Sequence, residues 1–409
     1  MPTRSLDVRS DNSSAGPLTG REFRWFFVGR TVSSLGSSMT PVALAFAVLQ
    51  LTNSTRYLSY ILSAEMIPMV SLLIVGGGIA DRYRRDRLLV ITNIICGISQ
   101  SGIAACVLTG RPIWLLIPLA FINGTSQAFI SPSMRGIIPQ LVDASAVQKA
   151  NSLVSSFLNA ARIFGPSIAG ILVAAASGGW GIAFDAASFL IAALCFSWLS
   201  LPDPPKPQKG MLGDLRSGWT YFRTTSWIWS VTSLFAVTNA IQMGVWQILG
   251  PEISKHTIGS SGWGIVQSAK AVGLLLGSIA TLKLTIRRPM VSGLVWMSVS
   301  AFPLIVLGAH PQVFALSAVT FLAGIGSAYF GIVWDTARQA NIPNSLISRV
   351  SSYDDFGAFV TIPVGQLAAI PIAAAIGLPR AAEWGGVIYL IVTLLPLTLL
   401  SVRRVRLSP

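Results

Sequence analysis

The chain has 409 residues, of which 52% are hydrophobic and only 11% charged, and its mean hydropathy is +0.66. Soluble domains are about a quarter charged, so this composition suits lipid as the solvent, and no polar block is long enough to build a separate soluble domain. The net charge of +14 would suit nucleic acid, but the basic residues are dispersed among short loops between apolar runs, which excludes that reading.

Lipid cannot satisfy backbone N–H and C=O groups, so a spanning segment is a helix of about 20 apolar residues. Twelve runs meet that length: 23–50, 57–80, 88–109, 112–134, 148–176, 179–200, 226–250, 262–285, 289–308, 311–334, 350–377 and 384–402. The pattern predicts an all-α membrane protein of twelve transmembrane helices in two six-helix halves. Gly and Pro interrupt runs 5 and 11, and the ends there are expected to be soft. Residues 1–20 read as a disordered cytoplasmic tail and 404–409 as a second, shorter one. The proline-rich stretch opening LPDPPKPQKG, residues 201–225, reads as a cytoplasmic linker between halves at 21–200 and 226–403.

With both termini inside, 22 Arg and Lys fall on the inner side and four on the outer: Arg56, Arg111, Lys255 and Arg380. Three more, Arg30, Arg162 and Lys270, lie within helices. This bias sets the orientation and predicts a multi-pass protein of the inner (plasma) membrane. Cys96, Cys106 and Cys195 all sit inside apolar runs, and isolated thiols there act as small hydrophobes. No metal site or cofactor is expected. Shifting the first half by 200 residues places Gly124 on Gly324, Lys149 on Arg349 and Gly165 on Gly365. A repeat of this kind is the architecture of a rocking carrier, with its site between the halves near the midplane.

Between runs 2 and 3 stands GGIADRYRRDR, from Gly77 to Arg87. One acid, Asp81, followed by Arg82 and Arg85 at a helix end makes a charged latch that can break as the halves rock, and Gly77 permits close helix contact. This segment resembles the G-x-x-x-D-R-x-x-R loop signature of the major facilitator superfamily. Further stretches resemble its transmembrane secretion effector branch, which contains macrolide-efflux and enterobactin-exporter proteins. They are VGRTVSSLGSSMTPVALAF, AEMIPMVSLLIVGGGIADR, KANSLVSSFLNAARIFGPSIAGILVA and FDAASFLIAAL. The resemblance spans nearly the whole chain, the first half more strongly. It implies alternating access driven by an ion gradient, usually proton antiport. Gly165, Pro166 and Gly170 are similar to the family's antiporter motif, and physically they suit a bending or sealing element or simply tight packing. The second-half loop around Lys283 to Arg288 keeps bases and lacks the acid. Ser37 follows Leu35-Gly36 where many relatives carry Asp.

An ionised group at the bilayer centre costs about 2.5–3.5 kcal/mol, so each is expected to face a cavity or a partner. Glu65 is the acid well inside the first half's helices. It reads either as a proton-coupling or cation-binding carboxylate or as one side of an ion pair with Arg30 or Arg162. Arg30, Ser34, Ser37 and Pro41 share a face of helix 1; Asn123 and Gln127 one of helix 4; Asn159 and Arg162 one of helix 5. In the second half the aligned groups are Asn239, Gln242 and Trp246; Gln267 and Lys270; and Asp355, Phe359, Ile362 and Gln366. Such stripes either line a cavity for an amphipathic guest or hold helices together. Lys270 could snorkel outward. Asp335, Arg338, Asp354 and Asp355 read as an inner gate or surface residues, and Asp185 as a charge at the outer end of helix 6.

There is no phosphate loop, no His-Glu-x-x-His and no Gly-x-Ser-x-Gly, so an enzyme is not expected. The leading expectation is a secondary transporter, sufficient as a monomer, that exports a small amphipathic compound such as a drug, secondary metabolite or siderophore by proton antiport. The alternatives are an importer of an anionic nutrient or metabolite and a non-transporting membrane scaffold or sensor.

Overall fold

A computed structural model describes residues 20–72, 83–134, 137–143, 147–201, 211–281, 288–343 and 346–405. Among these residues all regular structure is helical. The first half comprises α1 (Arg21–Thr52), α2 (Thr55–Ser71), α3 (Arg85–Thr109), α4 (Leu116–Met134), α5 (Val147–Ala175) and α6 (Gly178–Ser197). The second comprises α7 (Ser226–Lys255), α8 (Gly259–Thr281), α9 (Pro289–Ala309), α10 (Val313–Asn341), α11 (Val350–Ile376) and α12 (Leu378–Thr398). Eleven of the described helices are long and apolar enough to cross a membrane; α2 runs 17 residues up to the start of the undescribed segment 73–82.

Several local features depart from the sequence reading. α5 passes unbroken through Gly165-Pro166. α11 does break, at Val360 and Thr361, just before Pro363 lodges at the start of the next helical stretch. α7 continues past residue 250 to Lys255, through a π-helical stretch at Met243–Leu249. The second part of the linker is itself a helix, Met211–Thr224, and its Phe222 packs with Ile228, Ile342 and Val350. Residues 1–19 of the first expected tail and 406–409 of the second lie outside the described residues.

The repeat is visible in how helices touch. A Cβ on Gly124 of α4 would be driven into the Glu65 carbonyl of α2; one on Gly324 of α10 would meet the Lys270 carbonyl of α8. In each half only glycine allows the two backbones this close approach.

Consecutive helices alternate in direction, so α1 starts and α12 ends at one end of the bundle, the terminal end. The halves meet toward the opposite, far end. There Lys255 Nζ donates to the Leu49 carbonyl (3.1 Å) and to Asn53 Oδ1 (2.6 Å), where Asn53 caps α1 in the left-handed conformation. Ser59 Oγ of α2 donates to the Gln366 carbonyl of α11 at 2.6 Å, and Ser167 of α5 pairs with Ser268 of α8 at 2.8 Å. The largest apolar core crosses between the halves at this level, from Val42–Leu49 to Trp246, Leu249 and Trp263. The terminal end of the first half has its own core around Phe23, Phe26, Leu89 and Phe196.

Candidate functional site

Beneath the far-end seal lies a cavity of about 180 Å³ walled by both halves. Ser37, Thr40 and Pro41 come from α1, Glu65, Met66 and Met69 from α2, Gln100 from α3, Asn123 and Gln127 from α4, and Asp185 from α6. The second half supplies Trp246, Gln247, Trp263, Gln267 and Gln366. Pockets for drug-sized ligands measure about 300–1,000 Å³, so a guest of that kind fits only if the halves part further.

Two carboxylates face this space, each held by neutral donors. Asn123 Nδ2 donates to Glu65 Oε1 at 2.9 Å, leaving Asn123 Oδ1 buried without a partner. Glu65 therefore takes an amide, not the ion pair with Arg30 or Arg162 that the sequence left open. Asp185, 1% exposed, accepts from Thr40 Oγ1 (2.7 Å), Ser37 Oγ (3.2 Å), Gln100 Nε2 (3.2 Å) and Ser188 Oγ (3.4 Å). No basic side chain is among the residues lining the cavity. A carboxyl with only hydroxyl and amide partners can gain or lose a proton without an ion pair having to break.

Asp185 corrects the sequence reading. It is not an end charge: Ser177 caps α6, accepting from Gly179 N at 3.1 Å, and Asp185 stands seven residues past Gly178, about 10 Å along the helix. An acid within an apolar run was the signal available for it.

The second-half wall is aromatic. The Trp246 and Trp263 ring centroids are 4.6 Å apart, and Trp246 Nε1 donates to Gln267 Oε1 at 2.6 Å. The π-helical stretch widens the turn so that the consecutive Trp246 and Gln247 both reach the cavity. Lys270 does not snorkel outward; midway along α8, it lies over the Trp246 ring, 5.8 Å from the centroid. Gln366 accepts from Ser63 Oγ at 3.3 Å and donates to Gln247 Oε1 at 3.4 Å.

Not every predicted residue joins the cavity. Asn239 Nδ2 donates to the Ala358 carbonyl at 2.9 Å and ties α7 to α11, and Gln242 Oε1 is buried without a partner. Arg30, Ser34, Asn159 and Arg162 lie outside the cavity lining. Gly165 lets α5 close on Ser38 of α1; Gly170 meets the Ser260 carbonyl of α8, and Gly264 of α8 meets the Pro166 carbonyl. The helix 5 motif thus lies where the two halves touch. Gly77, Asp81 and Arg82 lie outside the described residues, whereas Arg85 opens α3 beside an Arg84–Asp86 ion pair of 2.8 Å. At the terminal end of the second half, Asp354 accepts from Arg338 (2.8 Å), Thr232 (2.6 Å) and Trp334 (3.0 Å), joining α7, α10 and α11. Arg338 also pairs with Asp335.

A family model described as transmembrane secretion effector matches residues 12–406. The enterobactin exporter EntS of Escherichia coli O1:K1 is 24% identical over 405 residues, covering 95% of this chain and 94% of that protein. The EntS of Shigella boydii serotype 18 is 24% identical over 407 residues, with the same coverage. Among solved structures, a POT family transporter in complex with a thioalcohol-conjugated peptide matches with a TM-score of 0.75 at 12% identity, covering 92% of this chain and 96% of that one. A bacterial homologue of the human lysosomal transporter Spinster, in an inward-facing and occupied conformation, matches with a TM-score of 0.70 at 16% identity, covering 97% of this chain and 100% of that one.

Proposed function

The chain belongs to the transmembrane secretion effector family, a branch of the major facilitator superfamily of membrane transporters, and on that premise we propose that it exports a small amphipathic compound in exchange for protons. The observation that carries this reading is the pair Glu65 and Asp185, two carboxylates on one cavity with no basic residue in its lining. Amphipathic guests are suited by the opposite wall of Trp246 and Trp263, with Met66 and Met69 beside the acids. The relatives named as enterobactin exporters support outward transport.

The 22-to-4 bias of basic residues supports a cytoplasmic terminal end with both termini inside. In that orientation the far-end seal faces outward and the described state is inward-facing, ready to load from the cytoplasm. In this reading the proton carriers are Glu65 and Asp185; the loop at Gly77, Asp81, Arg82 and Arg85 governs gating; and Gly165, Pro166 and Gly170 seal the halves. Residues 21–200 and 226–403 rock as units about the linker. Both walls of the cavity come from one chain, which supports a functional monomer.

Inverted membrane vesicles containing the protein, energised to an acid interior, test this reading. Labelled amphipathic compounds, macrolides and catechol siderophores among them, are expected to accumulate only with the gradient present. Uptake that is equal with and without the gradient for every compound taken up overturns proton antiport.

A further inference from the structure

Arg30 and Arg162 stand on neighbouring helices that run in the same direction, toward the terminal end from the cavity. α1 and α5 are tied at two levels. Phe27 meets the edge of Phe157 with centroids 5.0 Å apart, and Ser38 Oγ donates to the Ala161 carbonyl at 2.8 Å. Arg30 falls between these ties on α1, and Arg162 follows the second tie on α5.

Among the described residues neither arginine forms an ion pair. Arg30 is half-buried and Arg162 exposed. Arg30 lies nine residues beyond Arg21, where α1 begins, and Arg162 nine residues beyond Leu153, where the apolar span of α5 begins. That is about 14 Å along the helix in each case. A charge held within a membrane span costs up to about 2.5–3.5 kcal/mol on insertion scales, and two of like sign on neighbouring helices add repulsion. Such a pair is retained where something negative visits it. Guanidinium forks match carboxylate, sulfonate and phosphate oxygens in bidentate geometry.

Two further groups are free to contribute. Ser34, one turn beyond Arg30, and Asn159, one turn before Arg162, are half-buried, and neither is engaged through its side chain in a hydrogen bond given for the described residues. Ser37, seven residues and about 10 Å along α1 from Arg30, already lines the cavity. A molecule with a compact aromatic or apolar body and an acid group at one end would span both places.

We propose that Arg30 and Arg162, assisted by Ser34 and Asn159, form an anion subsite that receives the acid group of the transported compound while its apolar body enters the tryptophan-walled cavity. The inference rests on the export reading above and names its substrate class: amphipathic acids. The same oxyanion chemistry is offered by an anionic lipid headgroup, which the test separates.

The full chain is reconstituted in phosphatidylcholine nanodiscs and titrated with two fluorescent probes of similar size, the anion 8-anilinonaphthalene-1-sulfonate and the uncharged N-phenyl-1-naphthylamine. The anion is expected to bind saturably, with affinity lowered about tenfold or more by Arg30→Gln with Arg162→Gln, as suits losing charged hydrogen bonds. The uncharged probe should shift less than about twofold on the same scale. Asn159→Asp keeps both arginines and supplies an internal anion, and should give the same selective loss, so a folding defect in the double variant does not decide the matter. Equal anion affinity in wild type and both variants, or no saturable anion binding to wild type, overturns the subsite. Adding phosphatidylglycerol to the discs should leave anion binding in place; if it abolishes binding to wild type, the occupant is lipid and the substrate proposal falls. Gradient-driven uptake of the uncharged probe without anion binding would remove this inference and leave the carrier reading intact. Anion binding without gradient-driven uptake of either probe would do the reverse.

Discussion

Glu65 and Lys270 occupy matching positions in the two halves: the carbonyl of each lies against a glycine 200 residues apart, Gly124 and Gly324. One half therefore presents an acid, and the other a base stacked on Trp246, at the same place in the repeat. Glu65 lines the cavity and Lys270 stands over Trp246, a residue of its wall, so each should influence the transport cycle more than the fold. Lys270→Gln is expected to lower transport about tenfold, comparable with the loss of one partly desolvated cation–π contact, while the thermal midpoint of the purified protein stays close to wild type. A large drop in the midpoint would instead mark Lys270 as a structural group.

The close approach at Gly124 gives a stability prediction. Gly124→Ala forces a methyl into the Glu65 backbone and is expected to destabilise by about 1–3 kcal/mol. Gly331→Ala, on a helix where an added Cβ meets nothing within 4 Å, should be neutral or stabilising by about 0.5–1 kcal/mol. Unfolding followed in detergent compares the two.

The far-end seal can be locked. Ser167 and Ser268 oxygens are 2.8 Å apart, so a Ser167→Cys, Ser268→Cys protein lacking its three native cysteines should form a disulfide under oxidation. Transport is expected to stop on oxidation and return on reduction. Unimpaired transport by the fully cross-linked protein would mean that this seal does not open in the cycle.

Arg338 joins α10 to α11 through the buried Asp354. Arg338→Ala leaves that carboxylate without its cation and should cost about 3–5 kcal/mol. Adding Asp354→Asn is expected to recover part of the loss, read from the same unfolding curves.

The helices were legible in the sequence because each depends on local composition, and the glycines Gly124 and Gly324 because they recur 200 residues apart. Asp185 was not: the run 179–200 begins within one residue of the observed Gly178, and what the sequence hides is that the acid six residues inside it is held by Thr40, Ser37 and Gln100 from other helices. The stripe Asn239, Gln242 and Trp246 assumed regular helical spacing. The π-helical stretch breaks it, sending Trp246 and Gln247 to the cavity while Asn239 binds Ala358. The face Asp355 to Gln366 was divided by the break at Val360 and Thr361. Pairing across the halves, such as Ser59 with Gln366, joins residues 307 positions apart and leaves no local trace.

The most direct test follows an interior-acid gradient with a pH-sensitive dye in inverted vesicles carrying wild type, Glu65→Gln, Asp185→Asn or both substitutions. A transported compound should dissipate the gradient with wild type, measurably more slowly with each single variant, and not at all with the double variant. Dissipation by the double variant at the wild-type rate would contradict the claim that these two carboxylates carry the protons.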